Sequence, residues 1–92
     1  MPDIFDICPT LIGICGGELQ YTDMSDDDLQ DAFGMLDAKS KLIVLDEVNK
    51  LRLYSDELFR EFSTNSNIYF SSGAELCNWL NIIKVMVGQL IR

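Results

Sequence analysis

Residues 76–91 hold eleven apolar side chains in sixteen positions, broken only by Asn78, Asn81, Lys84, Gly88 and Gln89. A surface helix of a globular domain carries an apolar stripe about 100° wide, and this segment is apolar over more of its circumference than that. Ser72 with Glu75 three residues on has the form of a capping box, so a helix is predicted over 73–91. The rest of a 92-residue chain, enough for one core and not two, must be arranged around it. Either this is the central helix of the domain, or it also serves a contact between subunits. Trp79, Ile83 and Met86 recur at helical spacing. That is first a core pattern, and the same three residues are the candidates for self-association into a homodimer.

The other elements read less uniformly. Pro9 pushes Cys8 out of the helical region, so a first helix is short or restarts with Pro9 as its first residue. Residues 10–15, then Gly16-Gly17, then 18–22 have the pattern of a hairpin with a two-residue turn. The alternative is a short helix over 9–15 ended by a left-handed Gly16; the matching length of the two flanking segments favours the hairpin. Ser25 can cap a helix that begins Asp26-Asp27-Asp28, with Leu29, Phe33 and Leu36 inward and Asp27 and Asp31 toward water. Ser40 is a cap candidate for a helix over 41–53, supported by Asp46 and Lys50 at i,i+4. Ser55 opens a third helix ending at Phe62, with Asp56 and Arg60 paired in the same way. A polar loop over 63–67 precedes Ile68-Tyr69-Phe70, a candidate strand. The expected fold class is mainly α with a small β component (α+β): one compact domain over 1–92, with three to five helices plus an N-terminal hairpin.

Charge divides the chain sharply. Residues 1–37 contain nine acids and no Lys or Arg, whereas 39–92 contain six acids and seven bases, so the net charge of −8 belongs to the N-terminal third. Five of those acids fall within 22–31. A calcium loop of the EF-hand type needs oxygen ligands at positions 1, 3 and 5, glycine at 6 and glutamate at 12. Counting from Asp23 supplies Asp23, Ser25 and Asp27, but Asp28 stands at the glycine and Gly34 at the glutamate. No metal site is expected.

Other chemistries lack their parts. The chain has three cysteines, no CxxC pair and no histidine, which excludes mixed Cys/His zinc sites and leaves a cysteine nucleophile without its usual base. Cys8, Cys15 and Cys77 read as reduced, small apolar residues. Gly16-Gly17 is not followed by the Lys-Ser/Thr of a phosphate loop, and no cofactor is implied. Asp27 and Asp31 form a carboxylate pair, but a solvated pair has nothing to raise either pKa for acid–base work. The expectation is a non-enzyme. A charge of −8 argues against direct binding to nucleic acid or an anionic membrane, and no apolar run of about 18 residues is present to span one. A soluble, cytoplasmic protein is expected.

What remains is the acidic surface itself. Asp26, Asp27 and Asp28 suit a helix N-terminus, where each contributes about 0.3–1 kcal/mol against the macrodipole. Asp31 crowds Asp27 and Asp28 at i+4 and i+3, which costs helix stability, and no base relieves it. Asp23, Asp26, Asp27, Asp28, Asp31 and Asp37 are therefore the candidate partner-binding residues, directed at a basic protein surface such as that of a nuclease or nucleic-acid-binding complex. Nine carboxylates match on the order of 15 Å of duplex at one charge per about 1.7 Å. In size and charge the chain resembles small phage-encoded inhibitors of restriction or CRISPR complexes and immunity proteins of toxic nucleases; the likeness is one of composition, and no motif carries it. The alternative is a homo-oligomeric structural or regulatory module assembled through the apolar C-terminal helix.

Overall fold

The computed structural model describes residues 3–17, 19 and 25–91. Among them every regular element is a helix and no strand is present. The six are α1 (Ile4–Ile7), α2 (Pro9–Gly16), α3 (Asp26–Gly34), α4 (Ala38–Leu53), α5 (Ser55–Ser66) and α6 (Gly73–Leu90). The expected α+β class with an N-terminal hairpin is thus corrected to an all-helical domain.

Residues 10–15 are helical for reasons that lie partly far along the chain. Pro9 occupies the first position of α2, where its missing N–H costs nothing. The preceding Cys8 sits at φ −141°, between α1 and α2, as a residue before proline should. Cys8 offers no side-chain cap. Instead Glu47 of α4 accepts hydrogen bonds from Leu11 N–H at 2.9 Å and Thr10 N–H at 3.3 Å, placing a carboxylate on the N-terminus of α2. Leu11, Ile12, Ile14 and Cys15 are all buried, so α2 is apolar over most of its girth and its short run fits either secondary-structure period. Past α2, Leu19 N–H bonds Ile14 C=O. No described glycine has a positive φ, so Gly16 is not a left-handed cap. The remainder of the expected second strand, at 18 and 20–22, lies outside the described residues.

The expected loop over 63–67 is mostly helix. Ser63, Thr64 and Asn65 donate their side-chain groups back to the carbonyls of Phe59, Arg60 and Glu61, which lets polar residues continue α5 to Ser66. Asn67, at φ 62°, then ends it in the left-handed conformation. The expected strand at 68–70 has no partner strand among the described residues. Ile68 N–H goes to Ser66 Oγ and Phe70 N–H to Ser63 Oγ, while the Phe70 ring packs 5.9 Å from Phe62 and 5.7 Å from Trp79.

α6 is the longest helix and builds the core together with α4 and α5. It packs against α3, α4 and α5, with α2 in turn against α4 and α5. Its inner side buries Leu76, Leu80, Ile83, Met86 and Val87. Its first turn lies directly on α5: a Cβ on Gly73 would fall 2.6 Å from Asp56 Cα and 2.8 Å from Asp56 N, so no larger residue fits without separating the helices. Ser72 Oγ accepts from Glu75 N–H at 3.2 Å, as the capping box requires. The Glu75 carboxylate, however, returns to Ser71 rather than Ser72. No helix among the described residues is long and apolar enough to cross a membrane.

Candidate interaction surfaces

α3 starts as its sequence directs. Ser25 Oγ accepts from Asp28 N–H at 3.2 Å and Asp28 Oδ2 accepts from Ser25 N–H at 3.3 Å, a reciprocal capping box. Leu29, Ala32 and Phe33 are buried, which fixes the helix's rotation. Asp27, Asp31 and Asp26 are exposed and Asp28 is half-buried. The carboxylates of Asp26, Asp27 and Asp31 have no hydrogen bond or ion pair with any described residue. At 100° per residue, Asp27 and Asp31 point away from the buried side, and Asp26 turns toward α6.

The other candidate acids separate from this group. Asp37 begins α4 as its N-cap, accepting from Ser40 N–H at 2.7 Å; Ser40, the expected cap, is the donor. That backbone bond, then the Ser40 side chain and the nearby Lys39 and Lys41 charges, hold the Asp37 carboxyl below its usual range. Asp37 therefore sits beside bases and has a capping role. Asp23 lies outside the described residues. Asp46 and Lys50 form the expected i,i+4 pair at 3.0 Å. Asp56 and Arg60 do not pair, and the Arg60 guanidinium lies 5.5 Å from the centre of the Phe59 ring.

Of the three self-association candidates, Ile83 and Met86 are buried in the core. Trp79 is half-buried, with Phe62 at 5.8 Å and Phe70 at 5.7 Å. The outward side of α6 presents Ile82 and Val85 instead. Asn78, Asn81 and Gln89 share that side at spacings of three and eight, both close to whole helical turns, a polar marking that was available in the sequence. Two grooves flank the Ile82–Val85 ridge. One, of about 430 Å³, is bordered by Asp26 and Gln30 of α3. The other, of about 590 Å³, is bordered by Arg52 of α4 and Lys84; Arg52 Nε is buried with no acceptor among the described residues.

Neither groove assembles recognisable catalytic chemistry. The two buried thiols, Cys8 and Cys15, are both pushed up to about 12, Cys8 by burial, then by the Glu47 and Cys15 charges, and Cys15 by burial. At neutral pH such thiols are protonated and poorly nucleophilic. Among the described residues no group of three or more His, Cys, Asp or Glu side chains is placed to hold a metal ion. Glu47 is the functional-looking carboxylate that sequence reasoning missed, and its task is to cap α2. Comparison with protein-family models, with curated proteins and with solved structures finds no match to the chain.

Proposed function

We propose that this chain is a non-catalytic binding protein of the inhibitor type, whose acidic α3 occupies a basic, nucleic-acid-binding surface of a partner protein. The observation that supports this reading is the Asp27–Asp31 pair. These carboxylates stand one turn apart, about 6 Å along the helix axis, exposed and without a compensating partner among the described residues. Like charges at this spacing cost a helix roughly 0.2–0.5 kcal/mol, and a cationic surface turns that cost into attraction. The four aspartates of α3 correspond to on the order of 7 Å of duplex charge. The complementary surface is then a local cluster of Lys and Arg, such as a nuclease or a restriction or CRISPR complex uses to hold a phosphate backbone, rather than a long groove. The chain itself contacts neither nucleic acid nor membrane in this reading. Association is fast and weakened by salt.

The test is capture from a cell lysate on the immobilised protein, at low and high salt and with duplex DNA as competitor. A nuclease or nucleic-acid-binding complex is expected at low salt, released by high salt or by DNA, and absent with Asp27→Asn/Asp31→Asn. Capture that survives both the double substitution and high salt overturns the reading.

A further inference from the structure

We propose that the groove between the end of α4 and the outward side of α6 is a binding site for a small organic phosphate, held by Arg52 and Lys84, independently of what α3 binds. The groove has a volume of about 590 Å³ and is lined by Arg52, Asn81, Lys84, Val85, Gly88 and Gln89. Sites for small molecules run from about 300 to 1,000 Å³ and combine an apolar wall with a few convergent polar groups. Helical geometry explains the convergence here. Asn81, Lys84 and Gly88 recur on α6 at spacings of three and four, with Val85 and Gln89 beside them one turn apart. Arg52 approaches from the last turn of α4.

The chain carries fifteen acids and seven bases, yet both charges that line this groove are positive. The other described bases have company. Lys50 pairs with Asp46, Lys41 reaches the Leu90 carbonyl, Arg60 lies over the Phe59 ring, and Lys39 stands near Asp37. The side chains of Arg52 and Lys84 have no hydrogen bond or ion pair among the described residues. Their own helices offer none. The positions three and four residues from Lys84 are Leu80, Asn81, Val87 and Gly88. Asp56, four residues after Arg52, lies beyond the end of α4, against Gly73. Of the guanidinium nitrogens of Arg52, only Nε is buried without an acceptor, which leaves the terminal pair to the groove. Covering the stem restricts the side chain, so the guanidinium is presented already oriented. Withdrawing part of a cation from water without a counter-charge also strengthens its pull on an anion.

Charge and shape select a phosphate monoester. Two cations without an acid match its charge of about −1.5 to −2 at neutral pH, whereas a lone carboxylate would leave one base unmatched. The guanidinium fork can take two oxygens and the Lys84 ammonium a third. The amides of Asn81 and Gln89 are able to donate or accept along the rest of the molecule, and Val85, 61% exposed, supplies an apolar wall. A Cβ on Gly88 would meet nothing within 4 Å, so packing does not require glycine there, and glycine weakens a helix interior. A side chain would extend into the groove instead, and glycine keeps that floor clear. Asp26 borders the other groove, across the Ile82–Val85 ridge. The long-range repulsion of an anion by the acids of 1–37 is screened by salt.

Titration of the isotope-labelled full chain with phenyl phosphate, inorganic phosphate and phenol, followed through its amide and Arg52 Nε–H NMR signals, tests this. Saturating shifts are expected at 81–89 and at Arg52, with phenyl phosphate tighter than inorganic phosphate and phenol not bound. Arg52→Gln and Lys84→Gln should each raise the phenyl phosphate dissociation constant by about tenfold, with helical circular dichroism unchanged. Gly88→Leu, which favours the helix, should remove the advantage of phenyl phosphate over inorganic phosphate. Asp27→Asn/Asp31→Asn should not weaken binding, which separates this inference from the reading of α3. Shifts that fail to saturate, that spread equally to Lys39 and Lys41, or that persist through both glutamine substitutions overturn it. So does a preference for a phosphoserine peptide over phenyl phosphate, which would assign the groove to a phosphorylated protein.

Discussion

Glu47 on α4 is 5% exposed and directs its carboxylate oxygens to the backbone N–H groups of Thr10 and Leu11, whereas Asp27 and Asp31 on α3 stand in water. The same functional group thus serves opposite ends in two regions. At the α2–α4 contact it is a buried part of the fold, needed because α2 begins without a side-chain cap of its own. On α3 it contributes little to the fold and remains available to another molecule. A count of acids treats these alike; burial and partner atoms tell them apart. Removing the acid in the first region should therefore be the more damaging change. Glu47→Ala leaves the buried Leu11 N–H without its acceptor and deletes a charged hydrogen bond, so a loss of about 2–3 kcal/mol is expected in urea unfolding. Glu47→Gln keeps one acceptor oxygen and should lose distinctly less. An alanine variant as stable as the parent would erase the contrast between the two regions.

The same buried region makes a pH prediction that α3 does not. Cys8 and Cys15 titrate from 9.0 when unconstrained to about 12 in the fold. Between those values the unfolded chain gives up thiol protons that the folded chain keeps. Stability is therefore fully present below the unfolded value and falls as pH rises toward the folded one, by at most about 1.4 kcal/mol per pH unit for each thiol. Urea midpoints measured on either side of the unfolded thiol value should show this decline, and Cys15→Ala should make it shallower. An alkaline slope identical in parent and variant would show that Cys15 is not the proton store its burial implies.

How far these regions could be read from the chain depended on the range of the deciding contacts. Ser25 and Asp28 settle the start of α3 within four residues, and the turn of its apolar side follows from Leu29 and Phe33. The start of α4 was placed three residues late, at Ser40, because Asp37 is an equally competent cap one turn earlier; the backbone uses Asp37 and makes Ser40 N–H the donor. Pro9 offered a local reason for a helix over 10–15, but the carboxylate that caps it, Glu47, is 36 residues from Leu11, a separation that no local period can report. The apolar breadth of α6 was legible; its place was not, because the same breadth suits a central core helix and a helix that also serves a subunit contact. The assignment of its outward side was not drawn from the legible signal: Asn78, Asn81 and Gln89 marked that side, and Ile82 and Val85 share it. Trp79 stood out by size, yet size directed it toward Phe62 and Phe70.

The smallest expected effect is the most discriminating for α3. Asp27 lies in the first turn of the helix, where its charge gains about 0.3–1 kcal/mol from the macrodipole. Its repulsion from Asp31 returns roughly 0.2–0.5 kcal/mol of that, and Asp31 stands beyond the reach of the dipole's favourable end. Replacing both by Asn removes a gain and a loss of similar size, so the folded state of Asp27→Asn/Asp31→Asn should match the parent within about 0.5 kcal/mol, measured by urea unfolding at low salt. A large loss would mean that these carboxylates hold the fold in the manner of Glu47, and their freedom to bind a basic surface would go with it. Unchanged stability combined with abolished partner capture would place their whole contribution in the contact.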